Sequence, residues 1–255
     1  METITPPPRL RDVPKLLLGL IDRPTATFQQ VARGARWIWL VPLVLFIIGQ
    51  AIFTPIAARP SAELGLEMAR YVTEESRFAS QMTPEQRRQT LEQAEVQSRQ
   101  GLGPGLLVGV GAAIVFTAIG WAVNGLAIHG LVTLLGSQTS RPGGMMAVAS
   151  WAWLPFWVKL LVQSVFVARS GELPRHEGLA FLVTNGNRIL DSLDPLYVFL
   201  GRFDLWQVAN WALLIIGVSA LSGLSRSKAA LVVLPLWLVF ALVGLVPIFL
   251  SSMFL

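Results

Sequence analysis

The sequence predicts an all-α, polytopic helical membrane protein with five transmembrane helices, and amphipathic interfacial helices in its N-terminal segment and two long loops. Three observations carry that expectation. Of 255 residues, 53% are hydrophobic and only 14% charged, a balance unlike that of soluble domains. Uncharged runs cover 37–58, 100–140, 205–225 and 229–255, and a fifth, 142–168, is interrupted only by Lys159. A bilayer crossing needs about 20 consecutive apolar residues, so each run is long enough to span. The charges fall between these runs, as loops between spans require.

Residues 1–36 form a cytoplasmic or interfacial N-terminal segment, and 37–255 form the five-helix transmembrane domain. The amino terminus lacks a basic-then-apolar signal peptide with a small-residue cleavage site, so the first span is expected to stay in the mature chain. In "TATFQQVARGARW", Phe28, Val31, Ala32 and Ala35 recur at helical spacing opposite arginines. That face suits either the membrane surface or the protein's own spans, and the pattern does not choose between them.

Span one is expected at about 37–57, with Trp37 and Trp39 as interfacial anchors. Beyond it, Ser61 is placed to cap a helix, and "TPEQ" at 83–86 reads as a capping box with proline at the first helical position. Span two occupies 105–135 without proline or charge, so one long helix is expected, breakable at Asn124-Gly125. At 1.5 Å per residue it would extend about 46 Å against a core of about 30 Å, which demands tilt, protrusion or a break.

Span three covers about 145–167 and contains Pro155. A long connection follows, in which "GLAFLV" is too short to cross and "RILDSLDPLYVFL" reads as an interfacial amphipathic stretch. Spans four and five cover about 205–221 and 229–249, the last with Pro235 and Pro247. Asp204 and Gln207 form an N-cap and its capping-box partner, while Trp206 and Trp211 anchor span four. Both short connections are basic, with Arg141 in one, Arg226 and Lys228 in the other, and no acid in either. Short loops weigh most in orientation, which places the N-terminus inside and the C-terminus outside, in a bacterial cytoplasmic membrane.

With these landmarks set, the chain resembles the Yip family (Ypt-interacting protein domain), bacterial type. The resemblance rests on "IDRPTATFQQV" before span one, "ASWAWLPFWVKLL" in span three, and "FDLWQVANWALLIIGVSALSGLSRSKAALVVLPLW" across spans four and five. It extends roughly over residues 15–250. In eukaryotes it implies association with Rab GTPases and a part in vesicle traffic; the "DLYGP" type of motif found in those members does not occur ahead of span one here. For bacterial relatives it implies a membrane topology with no settled biochemical activity.

Lys159 is the anomaly among the apolar runs, since an ionisable residue within a span points to function by default. Pairing with Asp204 or snorkelling accounts for it more simply than ion handling, which usually shows several intramembrane charges. Gln163 shares its helical face, and Asn124 and His129 in span two complete the candidate polar network. The only other histidine is His176 in a loop, so His129 suits interhelical hydrogen bonding better than metal binding.

The chain has no cysteine, no H-E-x-x-H and no G-x-S-x-G, so no catalytic residue, cofactor or metal is expected. Its net charge of +5 is dispersed over loops rather than gathered into a nucleic-acid surface. The expected function is a non-enzymatic scaffold or adaptor in the bilayer, with a membrane-protein partner or a second copy. The alternative is a small transporter or channel subunit with a polar seam around Lys159.

Overall fold

A computed structural model describes residues 9–34, 38–75, 77–101 and 104–254, and every regular element among them is helical. Trp37 and Ala35 lie outside the described residues. The helices are α1 (Val13–Asp22), α2 (Pro24–Arg33), α3 (Leu40–Glu74), α4 (Pro84–Gly101), α5 (Pro104–Leu134), α6 (Pro142–Trp151), α7 (Leu154–Ser170), α8 (Arg188–Leu193), α9 (Pro195–Gly201), α10 (Leu205–Ser222), α11 (Arg226–Val243) and α12 (Val246–Phe254). Five stretches are long and apolar enough to cross a membrane: Leu40–Glu74, Leu107–Leu134, Pro142–Ser170, Leu205–Ser222 and Arg226–Ser251. The protein is an integral membrane protein whose spans contact lipid.

Two of the following features depart from the sequence expectation, while the single long helix expected for span two is kept, and each has a physical cause. α3 does not stop near Ala57 but continues through Pro55 and Pro60 to Glu74, so Ser61 lies inside a helix instead of capping one. Each proline removes a single backbone bond, which a thirty-five-residue helix absorbs. α5 passes unbroken through Asn124-Gly125 because that glycine serves close packing. A Cβ there would meet the Met146 Cα at 2.6 Å, so the backbones of α5 and α6 touch directly. "RILDSLDPLYVFL" divides into α8 and α9 at Asp194-Pro195, where Asp194 takes the extended conformation that a following proline imposes.

The chain forms two compact units. The first comprises Met1–Ile48, Ile114–Val158 and Trp206–Val239. Its core joins Leu16 and Leu20 of α1 and Phe28 and Val31 of α2 to Ile128, Val132, Met145, Val148, Trp151, Leu214, Val218, Val232 and Val233. Phe28 is fully buried, a contribution of about 2–3 kcal/mol by area. The amphipathic face of α2 therefore packs on the protein's own spans, and Leu18 and Ile21 of α1 project outward instead.

The break between α6 and α7 organises this unit. Pro155 has no N–H to offer the Trp151 carbonyl, and the Phe156 amide bonds Trp153 O at 2.9 Å instead of reaching back to Ala152 O. The freed Ala152 carbonyl accepts from Asn210 Nδ2 of α10 at 2.8 Å, while Trp151 Nε1 donates to Ile38 O at 3.0 Å. Without water in the hydrocarbon, such side chains restore the lost backbone partners.

The second unit comprises Gly49–Ala113, Lys159–Leu205 and Phe240–Leu255. Here the expected capping box forms: Thr83 N donates to Gln86 Oε1 at 2.9 Å, and Gln86 N to Thr83 Oγ1 at 3.2 Å.

Replacing Asn210 by leucine should lower stability by about 1–3 kcal/mol, because Ala152 O is left buried and unbonded. Gly125→Val should destabilise at least as much through its clash with the α6 backbone. Thermal unfolding in one detergent, followed by helical circular dichroism, measures both; unchanged midpoints would contradict the packing described.

A candidate functional site: the Lys159 cluster

Every polar member of this cluster belongs to the second unit. Lys159 lies in α7, and its ammonium donates to Glu177 Oε2 at 2.6 Å and to Asp204 Oδ2 at 2.8 Å. Gln163, one turn further along the same face, donates from Nε2 to Glu177 Oε1 at 2.9 Å. The side chains of Lys159 and Asp204 are 18% and 12% exposed, against 45% for Glu177, so the cluster is closed on the Asp204 side and open on the Glu177 side.

Local chemistry explains why both carboxylates reach one ammonium. Asp204 immediately precedes the first residue of α10, where the positive end of the helix dipole favours its charge. Glu177 is held by a turn at Gly178, whose φ of +53° is left-handed. A Cβ at Gly178 would fall 2.7 Å from the carbonyl oxygens of Gly201 and Phe203, so only glycine lets this loop lie against the end of α9. The Leu179 amide then donates to Leu200 O at 3.1 Å, binding the two segments.

The flanking connection is a hydrogen-bonded frame, not a loose loop. Tyr197 donates its hydroxyl proton to Arg175 O at 2.7 Å and lies 3.0 Å from His176 Nδ1. Asn187 and Asp194 cap α8 and α9 through their side-chain oxygens. Asp191, 2% exposed, accepts from the Thr184 hydroxyl at 2.6 Å and the Asn185 amide at 2.9 Å, and Arg175 donates to Gly186 O. Burial works against the Asp191 carboxylate, yet these two donors and the nearby His176 and Arg175 outweigh it and hold its pKa below the ordinary value. Burial pushes the Tyr197 phenol up, and the Asp191 charge adds to that.

The structure brings together Lys159, Asp204 and Gln163 of the network expected from sequence and adds Glu177. Asn124 and His129 are carried by the first unit. His129 Nδ1 lies 2.7 Å from Ser140 Oγ, and Asn124 is half-buried on α5. Of the tryptophans, Trp39 is exposed and Trp206 half-buried, while Trp211 meets the ring of Trp237 edge-on at 4.6 Å within the first unit. Sequence reasoning missed Glu177 and Asn210. Glu177 is eighteen residues from Lys159 in an irregular segment, and its only sequence signal was acidity on the connection that also ends at Asp204. No group of three or more His, Asp or Glu able to hold a metal occurs among the described residues. The cluster is a three-segment clamp that joins α7, the turn at Glu177 and the start of α10.

Lys159→Met should cost about 3 kcal/mol by leaving two carboxylates side by side. The triple change Lys159→Met, Glu177→Gln, Asp204→Asn should recover most of it, as read from thermal midpoints. A triple variant no better than the single one would refute the clamp.

The Asp191 carboxylate, with its folded pKa depressed below 3.8, contributes stability that is present above that value and lost as pH falls through the lower folded one. Pepsin cleavage within 171–203 should therefore increase steeply at the acid end of the enzyme's range, and Asp191→Asn should cleave readily at every pH where pepsin acts.

The sequence matches the Yip1 domain over residues 18–247. No curated protein and no solved structure matches the chain.

Proposed function

The chain belongs to the Yip1 domain family, and from that premise we propose that it is a non-enzymatic membrane scaffold or adaptor, oriented with its N-terminus in the cytoplasm. The observation that carries this reading is the bareness of α5. Only 6% of its apolar window is buried, against 39% for Pro142–Ser170. Phe116, Val115 and Ile119 are exposed along it, and a Cβ at Gly111 or Gly120 would meet nothing within 4 Å. Small residues beside large apolar ones let a partner helix approach closely, where packing rather than hydrophobicity drives association in lipid.

Within the second unit a groove of about 530 Å³ adds to this reading. It is lined mainly by small residues, among them Ala57, Ala58, Ala62 and Gly65 of α3 and Gly109 and Ala113 of α5. The Lys159 cluster supports the reading from the other direction. Its ammonium donates to two carboxylates, an arrangement suited to holding three segments together. The basic short connections at Arg141 and at Arg226 and Lys228 support the orientation.

A photo-crosslinking residue at Phe116 or Ile119, activated in native membranes, should capture a membrane protein or a second copy of this chain. Lipid adducts alone would sink the scaffold reading. Lys159→Leu should leave that crosslink in place while lowering stability; a solute flux in liposomes that this change abolishes would establish a transporter instead.

A further inference from the structure

A recess of about 340 Å³ lies in the first unit, lined by Gln29, Ala32 and Arg33 of α2, Thr139, Arg141 and Gly144, and Ala220 and Leu221 of α10. Its place relative to the bilayer follows from the path of the chain. The connection between Leu107–Leu134 and Pro142–Ser170, and that between Leu205–Ser222 and Arg226–Ser251, emerge on the same membrane face in a five-span path. Two hydrogen bonds join them: Ser137 donates to Ser222 O at 2.7 Å, and Thr139 to Leu221 O at 2.9 Å. α2 precedes the first span and meets that face too. The recess is therefore at headgroup level whichever way the protein is oriented.

Its charge is uncompensated. Arg33 and Arg141 come from different segments yet line one recess, and neither joins an ion pair found among the described residues. Residues 24–34, 135–144 and 219–228 contain no acid at all. Arg33, Arg141 and Gln29 are exposed, so their donors are accessible, while the Thr139 hydroxyl is committed to Leu221 and serves to place the loop. Two guanidinium groups facing one opening repel each other until an anion joins them. A phosphate suits that role, because each guanidinium fork can bond two of its oxygens.

We infer that this recess binds the phosphate headgroup of an anionic phospholipid between Arg33 and Arg141. Lipid is the source because the site opens at headgroup depth and its wall is apolar at Ala32, Ala220 and Leu221. Alongside α2, the outward Leu18 and Ile21 of α1 place apolar side chains at the same boundary. A basic pocket between spans is the form that lipid headgroup recognition takes.

The full-length protein in nanodiscs of phosphatidylcholine, with or without phosphatidylglycerol, tests this. Phosphatidylglycerol should raise the thermal midpoint and survive delipidation as one bound lipid in native mass spectrometry. Arg33→Gln and Arg141→Gln should each weaken retention about tenfold or more, while Arg226→Gln, on the same face but outside the recess, should retain it. Both recess variants should unfold as the native protein does in phosphatidylcholine alone, since each arginine is exposed. Equal loss in Arg226→Gln would replace the site by diffuse surface attraction and overturn the inference. So would an equal rise in midpoint from millimolar inorganic phosphate in phosphatidylcholine nanodiscs, which would make the ligand a free anion. Absence of any difference between the two lipid compositions would overturn it as well.

Discussion

Hydrocarbon offers no water to an unpaired backbone group, and the first unit is arranged around that constraint. Between α6 and α7 the helix breaks at Pro155, which supplies no N–H, and the Phe156 amide turns to Trp153 O. The carbonyl set free at Ala152 would be expensive in lipid, and Asn210 meets it at 2.8 Å. That one bond obliges α10 to approach the break at a fixed depth. It also accounts for an amide, 3% exposed, inside a mostly apolar helix. Once α10 is set, its inner face of Leu214 and Val218 receives Phe28 and Val31, and the N-terminal helices dock.

The same economy governs the second unit, with charge in place of a carbonyl. An ammonium within a span is tolerable when partners replace its hydration, and Lys159 has two carboxylates for the purpose. The residual negative charge lies beside the start of α10, where the helix dipole favours it. The segments carrying Glu177 and Asp204 are already bound by the Leu179–Leu200 bond, so satisfying the charge decides how Lys159 of α7 lies against them. The polar loop around Asp191 and Tyr197 keeps Glu177 within reach by hydrogen bonding its own backbone. A Yip1 domain built this way uses Lys159 and Asn210 for internal fastening and leaves apolar helix faces, chiefly that of α5, for lipid.

The most legible features of the sequence are those whose energies are local. Five long apolar runs, one of them interrupted by Lys159, become the five spans, since length and composition alone decide whether a segment can replace water with lipid. Thr83 and Gln86 form their capping box because both bonds close within three residues. The break near Pro155 was not read from the sequence, which expected span three to run through it, although its cause is equally local. Less legible was α3, where Ser61 suggested a new helix; a long helix loses only a bond at each of Pro55 and Pro60 and continues.

By itself, then, the sequence determined the all-helical membrane class, the number of the spans, and the presence of one costly charge at Lys159. Those properties depend on neighbours in the chain, through hydropathy, helical period and backbone covalent geometry. Tertiary structure alone decided that Glu177 joins Asp204 at that charge, that Asn210 repairs Ala152, and that Arg33 and Arg141 face one recess. It also decided that α2 buries its apolar face on the spans, which its helical pattern left open. The reason is distance: these groups are separated by 18, 58 and more residues along the chain. No local periodicity reports a contact made only when helices pack and a proton donor must find its acceptor across the gap.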